Sequence, residues 1–138
     1  MYNKRKKTIS ELLRGHNGGT RDNVELIANN TLRIIGQKYT TYRFHSADIL
    51  RYDYDLQRVV INSGGWQTRT TNHRLNCFLP DEWHVYSERG RWAIVTPLGT
   101  WPFKDGMEFR LTGEPADGLP SFEDEIDRAK ENRLLRAF

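Results

Sequence analysis

Apolar and polar residues alternate through the first half of the chain, and a period of two predicts short strands. Thr31 to Ile35 reads as one strand. Gly36-Gln37 then turns the chain, and Tyr39 to Phe44 reads as a second strand, rich in β-formers. Ala47 to Tyr54 is a third, carrying Ile49, Leu50, Tyr52 and Tyr54. Turn chemistry over Asp53 to Leu56 leads to a fourth at Arg58 to Asn62. Strands this closely spaced pair antiparallel through tight turns. Asp22 to Asn30 fits two patterns less clearly, and Asp22 is placed to cap a short helix carrying Val24, Ile27 and Ala28.

The period changes after Gly64-Gly65. A short helix is expected, with Thr70 or Thr71 as N-cap, Leu75, Phe78 and Leu79 on its apolar side, and Pro80 closing it. Trp83 to Ser87 and Arg91 to Thr96 then predict a hairpin across Glu88-Arg89-Gly90. Trp101-Pro102-Phe103 and Met107 to Leu111 bracket a turn at Lys104-Asp105-Gly106. The spacing of Phe122, Ile126, Ala129, Leu134 and Phe138 predicts an amphipathic C-terminal helix starting at Ser121. Acidic residues stand in its first turns and Lys130, Arg133 and Arg136 in its last, as the helix dipole favours. At the other end, Thr8 to Arg14 fits a short capped helix before the loop Gly15 to Thr20.

The expected architecture is therefore a single α+β domain. A twisted, mainly antiparallel sheet carries one short helix after the Gly64-Gly65-Trp66 corner and a C-terminal amphipathic helix. Residues 1–21 form a basic arm, 22–112 the core, and 113–138 a linker and the last helix.

With 138 residues, the chain is long enough for a modest core without staples. A lone cysteine, Cys77, excludes an internal disulfide and fits a reducing compartment. No apolar run approaches the ~20 residues that span a bilayer. The basic start lacks a following apolar segment, since Glu11 and Arg14 interrupt it, so a cytoplasmic protein with no membrane partner is expected. The net charge of +3 is mild, but its distribution is uneven. Lys4, Arg5, Lys6 and Lys7 load the N-terminus, while Glu123, Asp124, Glu125 and Asp127 cluster near the C-terminus. Such a basic arm suits an anionic partner, nucleic acid included, through salt-sensitive contacts.

The stretch Gly64 to Asn76 holds the strongest candidate chemistry. Successive glycines let a backbone approach a ligand and turn its N–H groups toward an anion. The start of the following helix adds more N–H groups. Thr68, Thr70 and Thr71 supply hydroxyls, Arg74 supplies a fork for phosphate, and Trp66 a plane to stack on a base. Gly64, Gly65, Trp66, Thr68, Thr70, Thr71 and Arg74 are thus a candidate phosphate and base site. The plain structural reading competes with it. Gly-Gly also suits a sharp corner, alternate threonines suit a strand surface, and Trp66 could plug the core.

Other constellations are weaker. His73 and Cys77 share a helix face as half a metal site, but no second pair of ligands is evident, and a surface histidine beside a buried cysteine is the better account. His45 and Asp48 resemble a base and its orienter. No nucleophile elbow and no carboxylate pair stands out, so neither a catalytic set nor a cofactor is expected.

The segments "RFHSADIL", "VVINSGGWQTRTTNHRLN", "WHVYSERGRWAIV" and "PFKDGM" occur in that order. Together they resemble a family of small bacteriophage-encoded proteins with a Gly-Gly-Trp-x-Thr-x-Thr-Thr-x-x-Arg-x-Asn core, over roughly residues 31–108. The resemblance implies a phage origin and a small α+β fold, and carries no activity with it. Ala47 departs from the threonine expected there.

Function is expected to be non-enzymatic: a phage accessory protein that binds a nucleotide or nucleic acid in counter-defence. The alternative is an inhibitor of a host protein in which the Gly-Gly-Trp motif serves only the fold. A small hydrolase using His45 and Asp48 ranks third. The C-terminal helix is the expected element for any homo-oligomer.

Overall fold

The computed structural model describes Leu12, residues 23–117, Ser121 and Phe122. The basic residues Lys4 to Lys7 and nearly all of the expected C-terminal helix lie outside the described residues. Among those described, the fold is mostly antiparallel β with one short helix.

Among the described residues nine strands form two sheets. The larger has the order β1 (Asn23–Ala28), β2 (Thr31–Ile35), β3 (Tyr39–Phe44), β4 (Ala47–Asp53), β5 (Arg58–Ile61), β9 (Met107–Arg110). The smaller has the order β6 (His84–Glu88), β7 (Arg91–Thr96), β8 (Gly99–Pro102). Helix α1 (Arg69–Phe78) follows the Gly64-Gly65 corner.

Alternation gave β2 to β5 their places because one face of each is buried. Ile49 and Leu50 of β4 and Val59 and Ile61 of β5 enter the main core, and Leu50 pairs with Ile61 across the ladder. Leu32 and Ile34 of β2 face a second cluster with Val24 and Leu12. Arg43, itself buried, holds Leu12 there by donating Nε–H to the Leu12 carbonyl at 2.6 Å, and its Nη1 pairs with Asp48 at 2.7 Å. The β6–β7 hairpin closes through Arg89-Gly90, both with positive φ (51° and 77°), the conformation whose twist matches paired strands.

Three expectations are corrected. Asn23–Ala28 is a strand and not a capped helix, because pairing with β2 (Val24 to Ile34, Leu26 to Leu32) outweighs weak helical spacing. The single sheet is two sheets. Trp101 and Met107, six positions apart across one turn, belong to different ones: β8 pairs with β7, and β9 returns to β5. The helix is capped by Thr68 and not by Thr70 or Thr71, two or three residues later, and its hydroxyl accepts from the Thr71 amide.

The main core draws on both sheets and on α1. Phe109 sits between Trp83 and Trp101, edge to face at 5.7 and 5.5 Å, and Trp92 meets Phe103 at 5.3 Å. Leu75 and Leu79 enter this core from the helix. Phe78 stacks on Tyr42 of β3 at 4.5 Å, while Asn76 bonds to Val85 of β6. The helix therefore bridges the larger sheet and the edge of the smaller one, and the corner before it is set by both.

Candidate functional site

The corner is built from inward hydrogen bonds. Ser63 is buried, and both its amide and its hydroxyl donate to Asp105 Oδ1 at 2.7 Å. The Gly64 amide donates to Asn62 Oδ1 at 2.6 Å, and the Gly65 amide to Ser63 Oγ at 3.2 Å. The Trp66 amide reaches the Ser63 carbonyl, and the Thr68 amide the Trp66 carbonyl. Asp105 belongs to the turn where the chain leaves the smaller sheet, and the neighbouring Gly106 amide bonds to the Ile61 carbonyl. One carboxylate thus ties the sheet-switching turn to the corner.

Gly64 is demanded twice. Its φ is +68°, and a Cβ there would lie 2.5 Å from the Cβ of Ala47. Gly65 has φ +82° with open space around it. Ala47, where threonine was expected, is the residue on which Gly64 packs.

The candidate residues divide between inward and outward roles. Thr71 is buried and its hydroxyl lies 3.0 Å from that of Thr68, so these two serve the helix start. Trp66 is 72% exposed, whereas Trp83, Trp92 and Trp101 are all buried. Gln67, Arg69 and Thr70 are exposed beside it. The amides of Gln67, Arg69 and Thr70 have no partner among the described residues. Arg74 is half-buried, with its guanidinium 5.9 Å from the Phe44 ring centroid and its Nε enclosed without an acceptor. It forms no ion pair among the described residues. Arg69 is the exposed guanidinium that sequence reasoning missed. Its place in the first turn beside the cap could have singled it out, had Thr68 been chosen as cap.

Electrostatics favour an anion at the helix start over the glycines. The glycine amides are taken by Asn62 and Ser63, and the Asp105 carboxylate already occupies that side. By contrast α1 has no acidic residue in its first turn to compete for its N–H groups.

A family model described as Kyanoviridae Gp96 protein matches residues 11–110. The chain belongs to that family. It is phage-encoded, and the match runs from beside Leu12 to the last residue of β9, so the corner and both sheets lie within the family's span. No curated protein and no solved structure matches the chain.

Elsewhere in this family member the other constellations are less concentrated. Asp48 is paired with Arg43. His45 occupies a turn with φ +54° and packs on Phe44. Cys77 is exposed and not buried as expected, with its sulfur 3.6 Å from His73 Nε2. A hollow of about 490 Å³ lined by Val95, Leu98, Trp101 and Ser121 shares no residue with the corner. Among the described residues no helix is long and apolar enough to cross a membrane.

Proposed function

We propose that the protein is a non-enzymatic phage accessory protein that binds single-stranded nucleic acid at the Trp66 corner. The exposure of the Trp66 indole, on a corner whose Gly64, Gly65, Trp66 and Thr68 amides are bonded internally, carries the reading. A rigid exposed indole is a stacking platform, and base–aromatic stacking is worth ~1–3 kcal/mol per base. Arg69 and the free amides of the first helical turn stand where a phosphate would follow the stacked base. Arg74 lies one turn beyond Thr70, and Lys4 to Lys7 would add electrostatic attraction. A free nucleotide fits less well, because small ligands favour concave sites and this corner is open. In an infected host such binding would serve to shield phage nucleic acid from a defence nuclease.

A second reading has its own support. Thr68, Thr71 and both glycines are committed to the fold, so Trp66 would instead anchor a protein–protein contact that inhibits a host factor. Pull-down from host lysate with and without nuclease separates the two. Capture that nuclease abolishes supports nucleic acid. A protein partner that survives nuclease and is lost in Trp66→Ala supports the inhibitor.

A further inference from the structure

Of the seven large apolar side chains exposed among the described residues, four gather at one end of the molecule. Tyr54 and Leu56 stand on the turn from β4 to β5. The Leu111 amide, just past β9, donates to the Gln57 carbonyl at 3.0 Å, which sets Leu111 beside that turn. Leu98, on the turn from β7 to β8, lies against Gly113: a Cβ on Gly113 would come 3.4 Å from Leu98 Cγ. The Thr96 hydroxyl fixes that approach, accepting from the Leu98 amide at 3.1 Å and donating to the Gly113 carbonyl at 2.6 Å. Both sheets thus contribute to one apolar patch, and the hollow lined by Leu98 and Trp101 opens beside it. A contiguous patch of large apolar side chains on a small domain marks a contact surface.

The patch is remote from Trp66. β4 starts at Ala47, against Gly64, and its seven residues carry the chain roughly 20 Å to the Tyr54 turn. Its rim carries both signs of charge. Lys38, whose carbonyl accepts from the Tyr54 amide, and Arg110 are positive, while Asp55, Glu114 and Asp117 are negative. In a two-fold contact a patch meets itself, so a rim of one sign would repel its copy, whereas a mixed rim can match it.

We infer that this end is a two-fold contact between copies of the chain, burying Tyr54, Leu56, Leu98 and Leu111 against their equivalents. Stable interfaces take about 20–30 residues a side, more than these four and their rim supply, so the dimer is weak and reversible. It leaves both Trp66 corners uncovered, and the inference does not depend on the nucleic-acid reading.

Sedimentation equilibrium of the full-length reduced protein, over about a hundredfold range of concentration, tests it. The expected result is a mass that rises reversibly from that of the monomer toward twice that value. Leu56→Glu and Leu98→Glu should each raise the dissociation constant at least about tenfold, because each sets a carboxylate into the apolar centre of the contact. Leu26→Glu, an equally exposed leucine on β1, and Trp66→Ala should leave it unchanged. Circular dichroism of each variant confirms the fold. A monomer at every concentration overturns the inference: a melting temperature lowered in Leu56→Glu would then assign the patch to the chain's own residues, and an unaltered one to a different protein. Association that survives both patch variants, or that Leu26→Glu or Trp66→Ala abolishes, also overturns it.

Discussion

The side-chain amide of Asn76 holds both backbone groups of Val85: Oδ1 accepts from the Val85 amide at 2.6 Å, and Nδ2 donates to the Val85 carbonyl at 2.9 Å. Val85 is buried, and these two groups face the outer edge of the smaller sheet, away from Ile94 on β7. A carboxamide carries one donor and one acceptor side by side, as a neighbouring strand would. Asn76 thus substitutes for a missing strand and closes an edge that would otherwise be left unpaired. Asn76→Ala removes both bonds and is expected to cost about 2 kcal/mol. Asn76→Asp keeps the acceptor but sets a charge against the Val85 carbonyl, so it should not rescue. Urea denaturation midpoints measure both, and a loss below ~0.5 kcal/mol would show that water replaces the amide without penalty.

Gly64 and Gly65 look alike in sequence but should respond differently to substitution. Both have positive φ, which costs an alanine about 1–2 kcal/mol. Only Gly64 also meets Ala47, at 2.5 Å from an added Cβ. Gly65→Ala should therefore lose about 1 kcal/mol and Gly64→Ala roughly 3 kcal/mol or more. Thermal melts of the two variants side by side give the comparison. Equal losses would mean that the β4 start yields to make room.

Local chemistry made β2 to β5, the β6–β7 hairpin and the existence of α1 legible, because each rests on alternation, a turn pair or a cap within a few residues. The switch between sheets was not legible. It depends on Asp105 reaching Ser63, 42 positions away, and on the Gly106 amide finding Ile61. The same holds for β1, whose identity comes from β2. At the candidate site, residue types singled out the corner but not which of its groups face outward. Thr70 and Thr71 are adjacent in sequence, yet one is exposed and the other buried, and only the true cap position decides that. Trp66 could equally have been core, and the structure places it outside.

Tyr52 links the β4 face to the end of α1, donating its hydroxyl to the Phe78 carbonyl at 2.5 Å. Burial, and then the neighbouring Tyr42 and Tyr54 hydroxyls, push its pKa well above the ordinary tyrosine value. A raised pKa means that the folded state favours the protonated phenol. The stabilisation is complete below the unfolded value of about 10 and is lost as pH rises from there toward the folded value. Stability measured by urea unfolding between about pH 8 and about pH 11 should therefore fall steeply at the alkaline end. Tyr52→Phe should flatten that fall while costing ~1 kcal/mol at neutral pH. An unchanged alkaline slope in the variant would assign the loss to other groups.

Trp66 and Arg69 provide the sharpest separation of stability from binding. With its indole 72% exposed, Trp66 contributes little to the core, and Trp66→Ala should stay within ~0.5 kcal/mol of the wild type. A core tryptophan such as Trp101 would instead cost ~3–5 kcal/mol on truncation. Because Trp83, Trp92 and Trp101 are buried, quenching of tryptophan fluorescence by an added oligonucleotide reports mainly on Trp66. Stacking predicts quenching by single-stranded oligomers that Trp66→Ala abolishes, at a cost of about 1–3 kcal/mol in affinity. Arg69→Ala acts through phosphate, so it should weaken binding regardless of base and reduce the salt dependence by about one unit of slope. If Trp66→Ala unfolds the protein, the indole is a packing element. If it folds and binds oligonucleotide as before, the exposed ring serves a different partner, and the inhibitor reading takes its place.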